Sequence, residues 1–184
     1  MAAFLVTGNP GSGKTTLAAE LARRGLVAID PDYDAELSYW EDDAGTQILK
    51  VDGPTQPDQR WLRTHHWVWS RSRLQQIVRQ HQAPVFVCGI ALNIHQVVDL
   101  FDRIFLLRID ADTQEQRLLA YDARNPPGRN EAGRQQIREG RSIFESQMLE
   151  LGAIALDATA PTARVADQLL AFVVGAPNPG EAAK

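Results

Sequence analysis

The sequence predicts an α/β domain, a five-stranded parallel sheet with helices on both faces. Three observations carry that prediction. Apolar runs of strand length alternate with segments of helical period. The first run leads straight into a glycine-rich loop and then a helix, the order of a βα unit. The 184 residues, 44% of them hydrophobic, suit one compact domain.

The first strand is placed at residues 3–7, Ala-Phe-Leu-Val-Thr. This run is too short for a signal peptide and lacks a basic flank, so it reads as a buried strand. Further strands are expected at 26–29, 84–88, 103–109 and 153–156. Helices fill the intervals at 14–24, 93–101, 113–122, 131–151 and 161–174, with one long helix inside 57–81. Asp112 stands where a helix N-cap belongs, and Thr159 with Pro161 suits the start of the last helix. Residues 175–184 are rich in Gly, Pro and Ala and are expected to fray, leaving a domain over 1–174. Two connections are not tight βα turns. Residues 31–59 exceed an ordinary structureless loop, so function or short elements are expected there. Residues 123–132 hold a Pro-Pro-Gly that stops a helix, between Arg124 and Arg129.

Lysine and arginine number 19 against 23 aspartates and glutamates, a formal charge of −4, which excludes a generally basic nucleic-acid binder. No stretch has the length and apolarity of a membrane span. Cys88 is the single cysteine, so no intramolecular disulfide forms, and no Cys/His cluster has zinc spacing. A reducing, cytoplasmic setting is the expectation.

Gly8-Asn9-Pro10-Gly11-Ser12-Gly13-Lys14-Thr15 fits the phosphate-loop pattern G-x-x-x-x-G-K-[ST], placed between a strand and a helix as that pattern requires. Its glycines let successive N–H groups face an anion, and the following helix adds its positive end. Lys14 is expected on the β- and γ-phosphates, and the Thr15 hydroxyl on Mg²⁺, with Thr16 completing the nucleotide contacts. Only three of the nineteen basic residues are lysines, so a lysine here does not follow from general composition.

Asp30-Pro31-Asp32 closes the second strand, at the carboxyl end where open α/β sheets bind ligands. A phosphoryl acceptor needs a group to orient its hydroxyl and take its proton, and Mg²⁺ needs oxygen partners beyond Thr15. One carboxylate for each task would be enough.

With the phosphate loop at 8–15, the Asp30-x-Asp32 pair and an arginine-bearing segment near residue 117, the chain resembles small P-loop kinases of the nucleoside-monophosphate and shikimate kinase group. The resemblance spans most of residues 3–174. It implies a three-layer fold with strand order 2-3-1-4-5, an acceptor-binding insertion at about 31–80, a lid at about 121–133, and ATP with Mg²⁺ as the phosphoryl donor. By that similarity Asp30 lies on the metal side and Asp32 binds the acceptor hydroxyl. After the third strand a shikimate kinase shows three glycines, whereas this chain has Cys88-Gly89-Ile90-Ala91-Leu92-Asn93, which argues against shikimate as substrate. No Asp ends that strand, so Asp30 is left to serve the metal. Gly89 is expected to bring backbone close to the acceptor, and Asn93 to cap the next helix or bond a ligand.

Residues 112–117 resemble the D-x-x-x-x-R stretch of nucleotide kinases, in which the arginine packs on the base or contacts the phosphates, a role expected of Arg117. Arg124 and Arg129 follow in the segment that the resemblance makes a lid, closing over the transferring phosphate and excluding water. Asp157 and Thr159 fall in the loop that faces the base in that group.

From Asp30 to Asp43 there are seven acids and no base, and all four tryptophans lie between residues 40 and 69. A nucleoside monophosphate would be repelled there unless Arg60 and Arg63 intervened. Tyr33, Trp40 and the other aromatics with these carboxylates suit a hydroxylated, planar or weakly cationic small-molecule acceptor. The leading expectation is therefore a kinase in which Lys14 and the arginines stabilise charge, Thr15 and Asp30 hold Mg²⁺, and Asp32 orients or deprotonates the acceptor. An ATP-hydrolysing switch without an acceptor would need a water-positioning residue, and none is evident. A polynucleotide kinase would need a basic groove, against which the acidic insertion argues.

Overall fold

Along the first strand Phe4 and Val6 face one side and Leu5 the other, and all three are buried. A strand buried on both faces must lie inside a sheet that is covered twice. The computed structural model describes residues 2–54, 57–120 and 131–174, with backbone alone at Gln59, Ala132 and Val174. In chain order its elements are β1 (Ala3–Thr7), α1 (Lys14–Arg23), β2 (Val27–Ile29), β3 (Ser38–Asp42), β4 (Gln47–Ile48), α2 (Gln59–Leu62), β5 (His65–Trp69) and α3 (Arg71–Gln80). They continue with β6 (Val85–Cys88), α4 (Ile94–Val97), β7 (Arg103–Arg108), α5 (Ala111–Ala120), α6 (Glu131–Glu150), β8 (Ile154–Asp157) and α7 (Thr162–Val174).

The main sheet runs β2-β6-β1-β7-β8, with every neighbouring pair parallel. Counting only its own strands, this is the expected order 2-3-1-4-5. One face packs Phe4, Val6, Phe86 and Phe105 on Leu17 and Leu21 of α1 and on Val165 and Leu169 of α7. The other packs Leu5, Val87 and Leu106 on Leu74 and Ile77 of α3, on Ile94 and Val97 of α4, and on Met148 of α6. Parallel strands with crossover helices on both faces bring the C-terminal ends of β1 and β2 to the same edge of the sheet.

The long helix expected inside 57–81 is not formed. Asp58 caps a single turn through the Trp61 amide (2.7 Å), and Ser70 caps α3 through the Arg73 amide (3.2 Å). Between these caps His65-His-Trp-Val-Trp, aromatic and β-branched, is extended and joins a second, antiparallel sheet of order β4-β3-β5. Trp40 stands opposite Trp67 and Ser38 opposite Trp69 in its register. The helix expected over 93–101 is a short α4 followed by a 3₁₀ turn at Val98–Leu100. Asp110, not Asp112, caps α5, accepting from the Thr113 amide (2.7 Å) and hydroxyl (2.8 Å). Among the described residues no helix is long and apolar enough to cross a membrane.

Candidate active site

The loop from Gly8 to Gly13 curls between β1 and α1 as its composition requires. Gly11 and Gly13 adopt left-handed φ values of 84° and 96°, which side chains resist. At Gly8 a Cβ would lie 2.7 Å from the Leu107 carbonyl oxygen. Helix α5 braces the loop: Gln114 Nε2 donates to the Pro10 carbonyl (2.9 Å) and Leu118 packs on Gly11. Lys14 folds back, its Nζ donating to the carbonyls of Gly8 (2.7 Å) and Asn9 (3.2 Å). Burial lowers its pKa to about 8, the opposing pull of Asp32 and then Asp30 notwithstanding. A lysine partly stripped of water, beside a buried Ser12 hydroxyl that meets no partner among the described residues, makes a cradle suited to an anion.

The loop opens on a cleft of about 1640 Å³ that extends to the antiparallel sheet. Asp30 turns the chain out of β2: its Oδ1 accepts from the Asp32 amide (3.1 Å), capping a 3₁₀ turn over Pro31–Tyr33. That turn sets Asp32 on the cleft, where Trp67 of β5 donates its indole N–H to Oδ1 (3.1 Å). Desolvation raises the Asp32 pKa, the Asp30 charge adds to this, and Lys50, Lys14 and the Trp67 hydrogen bond oppose it. Lys50 Nζ donates to the Asp32 main-chain oxygen (2.8 Å) and lies 5.6 Å above the Trp67 ring. Trp40 meets Trp67 edge-on at 5.2 Å and Trp61 at 6.2 Å, and Trp61 stacks on His65 at 3.6 Å.

No protein-family model matches the sequence, and a search of curated proteins finds no match. Solved structures do match over nearly their whole length. A shikimate kinase from Acinetobacter baumannii superposes with a TM-score of 0.62 at 18% identity, over 95% of this chain and 93% of that one. A deoxyadenosine kinase from M. mycoides does so at 0.55 and 12% identity, over 94% and 100% of the chains. A gluconokinase from Sinorhizobium meliloti gives 0.52 at 15% identity, over 94% and 91%.

The chain has the P-loop kinase fold.

Within this P-loop kinase fold the sequence-predicted residues divide clearly. The loop residues Pro10 to Thr16, Asp32, Trp40 and Arg117 line one cleft. Gly8 and Asn9 contribute the carbonyls that hold Lys14. Arg117 bridges the loop and the β8–α7 connection, its Nη2 donating to the Ala158 carbonyl (2.9 Å) and its Nη1 lying 3.4 Å from the Gly11 carbonyl oxygen.

Other expectations are corrected. Tyr33 is 73% exposed and, with Arg60 and Arg63, lies off the cleft, because the 3₁₀ turn and the single turn of α2 aim them outward. Gly89 does not line the cleft, and it packs tightly: a Cβ there would sit 2.7 Å from Trp69 and 2.9 Å from Pro31. Asn93 stands at the N-cap of α4 without a side-chain cap bond, and its amide instead exchanges two 2.9 Å bonds with the Trp69 backbone. Asp157 and Thr159 bond each other (2.5 Å), and Ala158 and Ala160 face the cleft in their place. Arg124 and Arg129, with the lid they were assigned to, lie outside the described residues. Lys50 was missed, although its being one of only three lysines was a signal within reach.

Proposed function

We propose that the protein is an ATP-dependent kinase that transfers the γ-phosphoryl group of Mg-ATP to a small-molecule acceptor. The observation that carries this reading is that Lys14 of the phosphate loop and Asp32 of the edge-strand turn line one cleft and feel each other's charge. A phosphoryl donor bound at the first meets an acceptor bound at the second, without a diffusing intermediate. The kinase-fold neighbours support the class of reaction, and the site itself supports the roles.

In this reading the loop amides and Lys14 bind the triphosphate, and Lys14 exchanges two carbonyl partners for phosphate oxygens. Arg117 holds the loop against the Ala158 connection, on the side where the base would rest. Asp32, held in orientation by Trp67, accepts the hydroxyl proton of the acceptor, and its raised pKa makes it the stronger base.

The site also fits a magnesium ion. Among the described residues no group of three or more His, Cys, Asp or Glu side chains gathers, so no all-protein cage exists. Mg²⁺ beside a nucleotide needs only one or two protein oxygens: the Thr15 hydroxyl, on the cleft, would supply one, whereas Asp30, given to the metal by the resemblance, does not line the cleft and caps the turn that carries Asp32. When bound, the ion neutralises charge on the phosphates.

The test is mass spectrometry of a pooled set of nucleosides, nucleotides and hydroxylated metabolites incubated with Mg-ATP and either wild-type protein or Lys14→Ala. A species heavier by one phosphoryl group, formed by the wild type alone, is expected. ADP without any phosphorylated product would replace the kinase reading with an ATP-driven switch.

A further inference from the structure

The run of seven acids after β2 looks in sequence like a trap for a cation, but in three dimensions most of that charge is spent elsewhere. Asp34 pairs with Arg73 (3.0 Å), and Glu36 lies 3.3 Å from the same guanidinium. Asp42 accepts from the amides of Ala44 and Thr46 to close a turn, and Asp43 pairs with His66 (2.9 Å). Asp30 caps the turn that follows it. Of the whole run only Asp32 lines the cleft, and Lys50 is fastened to its main-chain oxygen. The acceptor end thus sets one carboxylate beside one ammonium group, the latter bonded to the main-chain oxygen of the same residue, so an ionic acceptor meets a like charge as well as an opposite one.

Two further observations narrow the class. Arg117 is the only arginine lining the cleft among the described residues, and it is committed to the phosphate loop. Recognition of a phosphate or carboxylate ordinarily calls for a guanidinium fork, and at this end the described residues offer none. The walls are instead aromatic and aliphatic: Trp40 and Trp67 set edge to face, with Leu62, Val51, Ile90 and Leu92 around them. Flat apolar walls with one oriented carboxylate and one ammonium group select an uncharged ring bearing a hydroxyl.

We propose that the acceptor is an uncharged alcohol attached to a flat ring, of the nucleoside-like class, seated against Trp40 and Trp67 with its hydroxyl at Asp32, and that phosphorylated, carboxylated and alkylammonium-bearing acceptors are rejected. This inference rests on the kinase reading for its chemistry. The acceptor oxygen bonds to the γ-phosphorus as the bond from that phosphorus to the β–γ bridging oxygen breaks. The alcohol proton passes to Asp32, and the products are a phosphate monoester and a nucleoside diphosphate. The tryptophan wall binds the ring whether or not transfer follows, so the two claims separate by experiment.

The experiment measures binding and turnover of one panel with the full chain: uncharged nucleosides, their 5′-monophosphates, hydroxy acids, amino sugars and acyclic polyols. Binding is read by equilibrium dialysis and by quenching of tryptophan fluorescence, and turnover by product mass with Mg-ATP. The expected result is saturable nucleoside binding at roughly millimolar concentration or below, at least ~10-fold tighter than the monophosphates, with nucleosides as the phosphorylated species. Leu92, 63% exposed on the cleft rim, offers a variant that leaves the core alone. Leu92→Glu is expected to weaken nucleoside binding ~10-fold while ATP affinity is unchanged, because it adds a charge to the apolar wall. Preference for a monophosphate, hydroxy acid, amino sugar or polyol overturns the inference, as does the absence of nucleoside binding or its indifference to Leu92→Glu. Phosphorylation of an anionic acceptor would overturn this inference and leave the kinase reading standing. Nucleoside binding without any phosphoryl transfer would do the reverse.

Discussion

The indole N–H of Trp67 donates to Asp32 Oδ1 across 3.1 Å, so a strand of the antiparallel sheet holds a carboxylate that leaves the edge of the parallel one. The two sheets meet at the atom to which the proton transfer is assigned. Asp32→Asn should therefore keep the shape of the cleft and leave ATP affinity nearly unchanged, while phosphoryl transfer falls by ~10²-fold or more. Single-turnover rates beside ATP titrations check this. A collapse of ATP binding instead would move Asp32 to the metal.

The acid limb of the rate profile follows from the same carboxylate. Desolvation and Asp30 raise its pKa, and Asp32 acts as base only when ionised, so transfer should fall with decreasing pH at a point above that of an ordinary aspartate. Lys50 is the first of the groups that lower it. Lys50→Met should displace the acid limb of kcat to higher pH, and an unmoved limb would detach Lys50 from Asp32.

Lys14 sets the opposite limb. Its pKa near 8 in the nucleotide-free protein means that below this pH it already carries the charge a triphosphate needs. Bound phosphates raise that pKa, so above pH 8 binding must take up a proton. Triphosphate affinity should be level below pH 8 and decline above it by roughly tenfold per unit, the slope of a single proton. Calorimetry in buffers of different ionisation enthalpy measures the uptake directly, and Lys14→Ala should abolish both it and turnover.

Gly89→Ala tests the junction behind Asp32. The new methyl group would lie 2.7 Å from Trp69 and 2.9 Å from Pro31, both rigid rings. Overpacking of this kind costs about 1–3 kcal/mol. A lowered midpoint in urea with unchanged slope is expected, and full stability would show that the ring of Pro31 can yield.

Arg117→Met removes the tie to the Ala158 carbonyl and the contacts to the loop carbonyls. A charge-assisted bond of this sort contributes about 1.5–3 kcal/mol. ATP affinity should fall along with thermal stability, since loop and base-side connection lose their common brace. Loss of turnover with both of those unchanged would make Arg117 a transition-state group instead.

How far the sequence could be read depended on how local the determining physics was. The phosphate loop and the parallel sheet were legible because glycine conformation and two-sided strand burial are encoded in consecutive residues such as Gly11, Gly13 and Phe4-Leu5-Val6. The antiparallel sheet was not. His65 to Trp69 carries no alternation of apolar and polar residues, and what makes it a strand is pairing with Ser38 to Asp42, more than twenty residues away. Asn93 read as a cap or a ligand for the same reason, since its true partner is the backbone of Trp69. Arg60 and Arg63 were assigned to an acceptor because charge is visible in a sequence and direction is not. The pairing of Asp34 with Arg73 shows the converse, an acid neutralised from 39 positions away.

The order of the main sheet bears on kinetics as well as on shape. The phosphate loop follows the middle strand, the antiparallel sheet follows one edge strand, and the Ala158 connection follows the other. In the proposed kinase reading this order sets the donor and acceptor ends of the cleft on opposite flanks of the middle strand. Initial-rate plots against the two concentrations should intersect, and isotope exchange should reveal no compulsory sequence of arrival. Parallel lines would demand a phosphorylated enzyme, and the cysteine of β6, Cys88, is buried with its thiol pKa pushed up, a poor nucleophile for that task.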